Sequence, residues 1–375
     1  MYDRSRGQRH HQGQYLDFAV TPPILVATTS RLTDLVSDLA SCATVAVDTE
    51  SNSLHALRER VCLIQFSTPT ADYIVDPIAL SDLTSLAPFF ASPAHEKIFH
   101  AAEGDLLGLG RDFPFVFANI FDTMSAARTL GWSHVGLAAV LNAEFGVTLR
   151  KRHQRADWGR RPLPPRMEEY ALNDVRYLLP LAEILEKQLK ELGRWEWYGQ
   201  SRDAMVQSAR EPRERDLENA WRVNGSSKLA PREAAVLRAL WHWRDAEASA
   251  WDRPTFHVIS NERMIDAACA AVAGHKFEVH RMPPPRYARM KEALRAALEL
   301  PENEWPVFER ERKPRPSGAA CRLFEHLREK RDAVARELAI DPSLIASRLT
   351  LMSVAQQNGS RLLPWQRDLL QPDSM

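Results

Sequence analysis

Over its first half the chain alternates short apolar runs with stretches of helical spacing. Pro23–Ala27, Val45–Val47, Val61–Phe66, Tyr73–Val75, Lys97–His100 and Asn119–Phe121 read as short buried strands. Only Ser67-Thr68-Pro69-Thr70 separates the third from the fourth, which predicts an antiparallel meander. Between the strands, Leu32, Leu35 and Leu39 repeat at helical spacing behind a Ser30 cap. Further helices are predicted over 81–90, 123–130 and 134–145, the last broken at Gly146. A long helical pattern runs from Pro164 to Leu189, with a kink expected at Pro180.

From Leu229 the pattern changes to Ala, Leu, Arg and Trp, with no strand signal. Pro231 at a first helical position precedes a one-sided stripe of Val236, Leu237, Leu240 and Trp243. Pro254 interrupts, and Met264–Ala268 is helical again. A similar order recurs later: Leu323, Leu327, Val334 and Leu338 stripe one helix, Asp341-Pro342 caps the next, and Leu344, Ile345, Leu351 and Val354 follow. The charged, Pro-bearing stretch Glu309–Pro316 separates the two helical units as a linker, and Gly225-Ser226-Ser227 is a plausible hinge.

A chain of 375 residues has room for two or three domains with real cores. The 49 basic and 49 acidic residues cancel, so only local charge can speak for or against nucleic acid. Cys42, Cys62, Cys269 and Cys321 stand far apart with no CxxC pair. A disulfide framework and a zinc site are therefore not expected, and a reducing cytoplasm fits. No apolar run is long enough to span a membrane, and the Arg-, His- and Gln-rich start has no apolar signal core; it reads as a disordered basic tail.

Candidate chemistry begins where the second strand ends, at Asp48-Thr49-Glu50. Strand side chains alternate faces, so the two carboxylates share one side at most about 7 Å apart. At that spacing they repel unless a cation lies between them, and hard oxygen ligands suit Mg²⁺ or Mn²⁺. An acidic turn capping the next element is the competing reading. Asp105 falls in the first turn of a helix opened by Lys97–His100, where a carboxylate is also favoured electrostatically. Asp122 repeats the strand-then-acid pattern and reads best as a helix cap.

Tyr170 and Asp174 are four apart on one helical face, a phenol one turn from a carboxylate. Asp is a poor residue for a helix interior, so its place among Ala171, Leu172 and Val175 asks for a reason, although Tyr170 alone also fits a core edge. Leu149–Leu163 carries six Lys or Arg against one Asp. Gln154, Trp158 and His153 interleave with Arg150, Lys151, Arg152, Arg155 and Arg161, a combination suited to phosphates plus stacked bases, or to a solvated loop.

Taken in order, Asp48-x-Glu50, His100-x₄-Asp105 and Tyr170-x₃-Asp174 resemble the three motifs of the DEDD 3′→5′ exonucleases, in the branch with Tyr. Gln154-x₂-Asp157-Trp158-x₂-Arg161-Pro162-Leu163 and Tyr170-Ala171-x₂-Asp174-Val175-x-Tyr177-Leu178 resemble the signature of the ribonuclease D family. The resemblance implies an α/β ribonuclease H-like (DnaQ-like) exonuclease domain with a mixed sheet, followed by two small all-α HRDC-type domains. The expected divisions are a tail over 1–20, the nuclease over 21–215, and helical domains over 225–306 and 317–375.

By the same resemblance two divalent ions, Mg²⁺ or Mn²⁺, would stabilise the attacking and leaving oxygens of a phosphate displacement. Asp48 would bridge them, Glu50 and Asp174 would complete one ion's site, Asp105 would serve the other, and Tyr170 would orient the attacking water. RNA is the implied substrate, tRNA precursors above all, released as 5′-mononucleotides by a cytoplasmic monomer. The helical modules would add nucleic-acid contacts through Arg286, Arg289, Lys291 and Arg295. An inactive RNA-binding protein and a DNA exonuclease are the rival readings. Retention of all four acids and Tyr170 counts against the first, and no polymerase or helicase segment accompanies the domain to favour the second.

Overall fold

The computed structural model describes residues 22–80, 82–149, 153–211, 216, 218–277, 282–306, 316–357 and 362–370. The expected N-terminal tail, most of the 309–316 linker and Arg150, Lys151 and Arg152 lie outside them. The described residues of 1–51, 61–211 and 315–375 form one compact unit, and those of 52–60 and 212–314 form a second.

The first unit is built on a six-stranded mixed sheet in the order β1-β4-β3-β2-β5-β6. Its strands are β1 (Ile24–Val26), β2 (Thr44–Ser51), β3 (Val61–Ser67), β4 (Asp72–Val75), β5 (Glu96–Phe99) and β6 (Ile120–Asp122). The meander expected from the sequence is there: β2, β3 and β4 pair antiparallel, while β1, β5 and β6 join in parallel. The register aligns Asp48 with Gln65, and Ala46 with Ile98 of β5.

Helices α1 (Thr29–Ser41), α2 (Ala87–Ala91) and α3 (Glu103–Asp112) cover one face. Their Leu35, Leu39, Phe90, Leu106 and Leu109 pack with Val45, Val47, Ile64 and Phe66 of the sheet. The other face carries α4 (Thr123–Leu130), α5 (Leu137–Phe145), α6 (Pro165–Asn173) and α7 (Leu178–Glu191). There Ala126, Leu141, Leu181 and Leu185 meet Ala46, Ile98 and Phe121, and Ala171 and Leu172 meet Leu63 and Ile74. The alternation of β2 thus sends Val45 and Val47 to one layer and Ala46, with Asp48 beyond it, to the other.

Local chemistry corrects three expectations. Thr28, not Ser30, caps α1, its hydroxyl accepting from Arg31 N. The stretch expected as a helix from Ser81 is a 3-10 turn, Thr84–Leu86, running into the short α2. The long helix from Pro164 breaks at Asp174–Tyr177 and not at Pro180. Pro180 is the third residue of α7, where its missing N–H has no intrahelical partner to lose.

Helix α8 (Trp195–Arg210) follows, and α13 (Gly318–Leu338), α14 (Pro342–Ile345), α15 (Arg348–Ala355) and α16 (Pro364–Leu370) complete the unit. Arg194 gathers the carbonyls of Thr129, Leu130 and Leu338. Trp197 stacks on Trp365 at 5.2 Å between ring centroids, and Gln200 accepts from Trp365 N. Gly131, in the left-handed conformation, lies so close to Ala339 that a Cβ would sit 2.2 Å from its carbonyl oxygen. These side chains lock the C-terminal helices onto the layers around the sheet.

In the second unit α9 (Pro231–Trp251), α10 (Thr255–Val258), α11 (Asn261–Val272) and α12 (Pro284–Leu298) surround Leu237, Leu240, Trp243, Met264 and Met290. Leu57 packs against this core, and Arg253 donates to the carbonyl of His55. Glu247 is buried and bonded by Arg286 and Arg289, so two of the four cations expected to face nucleic acid are paired with a carboxylate, Arg289 while still 55% exposed. Among the described residues no helix is long and apolar enough to cross a membrane.

Candidate active site

Three carboxylates converge where β2 ends. Ligand oxygens of Asp48, Glu50 and Asp174 all lie within 4.8 Å of one another. The first two owe this to the two-residue period of the strand. Asp174 owes it to the break in the helical layer: it is the C-cap of α6, at φ −80° and ψ −14°. A carboxylate at a helix C-terminus faces the negative end of the helix dipole, a worse place than the interior position the sequence suggested. The break itself is pinned by Arg176, whose Nε lies 2.6 Å from Asp72 on β4 with both side chains 11% exposed. Arg176→Ala is expected to cost about 3–5 kcal/mol, because it strands a nearly buried carboxylate. Urea unfolding checks this, and a loss below about 1 kcal/mol would remove Arg176 from the account.

Asp105 arrives from the opposite face on the first turn of α3 and stands outside the 4.8 Å set. Thr49, the residue between the two strand acids, holds it: Asp105 Oδ1 accepts from Thr49 N at 3.1 Å and from Thr49 Oγ1 at 2.6 Å. The sequence reading passed over Thr49, whose only signal was a hydroxyl between two acids. Asp122 is the cap it was expected to be, accepting from Met124 N and Ser125 Oγ. It also takes the N–H of Ala101, which lies in the left-handed region at φ 66°. The β5–α3 corner that delivers Asp105 is thereby tied to the start of α4. His100 donates or accepts at Nδ1 with Thr123 Oγ1 at 2.8 Å, and burial holds its pKa below the usual imidazole value.

Electrostatics show what this cluster needs. Burial, then the charges of Asp105, Asp174 and Glu50, raise Asp48 well above the ordinary carboxylate range. Burial, then the charges of Asp174 and Asp105, push Glu50 up to about 9. Asp105 is pushed up to about 7 by burial, against the opposing pull of the Thr49 bonds. Asp174 is pushed up to about 7 by burial, against a hydrogen bond from Tyr170. Four acids that resist ionisation together, with three sets of hard oxygen donors in reach of one point, fit a divalent cation. Tyr170 is raised by burial first and by Asp174 and Glu50 next, so its phenol stays protonated through the working pH range.

A family model described as a 3′-5′ exonuclease matches residues 23–190. The ribonuclease D of Nitrobacter hamburgensis is 27% identical over 361 residues, spanning 92% of each chain. Residues 23–190 thus carry a 3′-5′ exonuclease domain, in a chain homologous to a bacterial ribonuclease D over most of its length. Protein RRP6-like 1 of Arabidopsis thaliana is 30% identical over 93% of this chain, which spans 57% of that longer relative. The Escherichia coli RNase D structure shares the fold, with a TM-score of 0.68 at 22% identity over 95% of this chain and 93% of that one.

The basic stretch of the ribonuclease D signature is only partly the surface that its composition suggested. Gln154 and Arg155 are exposed. Trp158 is 1% exposed, packed with Met167, Ala171 and Leu172, so it has no face to offer a base. Its ring lies 6.0 Å from that of Tyr170, and the ring of His153 meets Tyr170 edge-on at 5.9 Å. Arg161 is likewise structural: it forks onto Asp76 at 2.6 and 2.8 Å and donates to the carbonyls of Cys62 and Trp158. The segment's described half therefore builds the wall that holds Tyr170.

Proposed function

We propose that this protein is a metal-dependent 3′→5′ exoribonuclease. The observation that carries the reading is the meeting of Asp48, Glu50 and Asp174 within 4.8 Å beside a phenol bonded to Asp174. Asp48, Glu50 and Asp174, with Asp105, would hold two divalent ions. Once bound, such ions activate water and neutralise charge developing on a phosphoryl group. Tyr170, kept protonated, orients the attacking water as a neutral hydrogen-bonding group and does not act as a base. Thr49 keeps Asp105 at the edge of the cluster, and Trp158 and His153 keep the Tyr170 ring from swinging away.

RNA is the favoured substrate because the full-length bacterial relative is named a ribonuclease. Precursors of tRNA, bound by a monomer in the cytoplasm, are the favoured instance. The helical stretches 225–306 and 317–375 serve as HRDC-type modules, with exposed Lys291 and Arg295 available for phosphates in the first. Arg150, Lys151, Arg152, Gln154 and Arg155 would guide the strand towards the acids. Incubation with a 3′-extended tRNA precursor and a matched DNA, in Mg²⁺, Mn²⁺ or EDTA, tests the reading. Metal-dependent trimming of the RNA in preference to DNA is expected; equal or faster trimming of DNA would overturn the substrate assignment.

The raised acids carry a pH signature. Each has a folded pKa above its unfolded value of about 4, so its contribution to stability is intact below that value. The contribution is lost as pH rises through the folded values, about 7 for Asp105 and Asp174 and about 9 for Glu50. Divalent cation opposes this loss. The Tm difference between Mg²⁺ and EDTA samples should therefore widen from pH 5 to pH 9, and a flat difference would contradict the assignment.

A further inference from the structure

Gln65 lies in the middle of β3, directly opposite Asp48. Antiparallel partners project to the same face, with Cβ atoms about 4.5–5.5 Å apart. That face is the one covered by α6, since Leu63, two residues earlier, and Ile74, its partner on β4, both pack with Ala171 and Leu172. Gln65 is 0% exposed, and neither its Oε1 nor its Nε2 has a hydrogen-bond partner. A buried amide left unsatisfied is expensive. The other residues of β3 from Val61 to Phe66 are apolar, so a leucine or methionine would serve the packing of this layer better. The carboxylate of Asp48, across the strand, is a feature that an amide would serve.

We propose that Gln65 is a positioning residue for Asp48: in the ion-loaded site its Nε2–H donates to one carboxylate oxygen of Asp48, leaving the other for cation. The bond is assigned to the loaded state, in which the amide would gain the partner it otherwise lacks. The contact would fix the rotamer of the Asp48 carboxylate, one of the residues that would hold the cation. Outer-shell donors of this kind set ligand orientation, and their loss typically lowers metal affinity or activity about 10–100-fold. Substrate is the less suitable partner, because Gln65 lies beneath α6 with no exposed surface. The proposal rests on the reading of Asp48 as a metal ligand.

The test is Mn²⁺ titration by calorimetry on the full chain, comparing wild type, Gln65→Met, Gln65→Asn and Asp48→Asn. Methionine keeps the volume and removes the donor; asparagine keeps the amide but withdraws it by one methylene. Both should bind Mn²⁺ about 10-fold or more weakly, while Gln65→Met melts in EDTA at or above the wild-type temperature. At saturating Mn²⁺ the turnover on RNA should fall with KM unchanged. If Gln65→Met does not fold, Gln65→Asn decides. Wild-type Mn²⁺ affinity in a folded Gln65 variant, together with loss of binding in Asp48→Asn, overturns the role of Gln65 alone. Wild-type affinity in Asp48→Asn as well overturns the metal reading beneath it.

Discussion

Asp48→Asn and Asp174→Asn are each expected to take nucleotide release below detection without unfolding the protein. Both oxygens lie in the 4.8 Å set, and each substitution removes a negative charge that cation binding requires while preserving shape. The same change relieves repulsion among acids that already raise one another's pKa values. Without metal, the variants should therefore melt at the wild-type temperature or slightly above it. With Mg²⁺ they should gain less stability than wild type does, because bound ligand stabilises only in proportion to its affinity. A variant that folds and still releases nucleotide at near wild-type rate would sink the site.

How much of this was legible beforehand follows from the range of the interactions involved. The strand-end acids Asp48 and Glu50 were readable because the two-residue period of a strand is local. So was the Asp122 cap, which bonds within its own turn. Asp105 and Asp174 were reachable only through motif order, since nothing local says that distant elements meet at β2. The contacts that hold them were hidden: Thr49 with Asp105 spans 56 residues and Arg176 with Asp72 spans 104. Trp158 and Arg161 misled for the same reason. In a basic run they look like ligand-facing groups, and only the packing of α6 against β3 and β4 shows that they are wall. The helix break was misplaced at Pro180 because proline is a visible breaker, whereas the true break at Asp174–Tyr177 is enforced by tertiary bonds.

Tyr170→Phe is expected to lower turnover by roughly two or more orders of magnitude, the scale for losing one positioned polar group. The ring contacts with His153 and Trp158 survive the change, so the site's wall stays in place. What goes is the hydroxyl that bonds Asp174, the group proposed to orient the attacking water. RNA affinity should barely move, because the loss belongs to the transition state and not to ground-state binding. Single-turnover rates at saturating enzyme and metal isolate that step. A small stability change with nearly normal turnover would make Tyr170 a core-edge residue instead.

The cluster at the end of β2 should remove nucleotides one at a time from a 3′ end, with divalent cation. One single-stranded RNA, labelled at its 3′ end in one sample and at its 5′ end in another, decides it. In Mg²⁺ the 3′ label should appear as mononucleotide from the first turnover. The 5′-labelled chain should meanwhile shorten as a ladder of single steps, and EDTA should stop both. Early release of the 5′ label, internal fragments from either sample, or trimming that continues in EDTA would contradict the account.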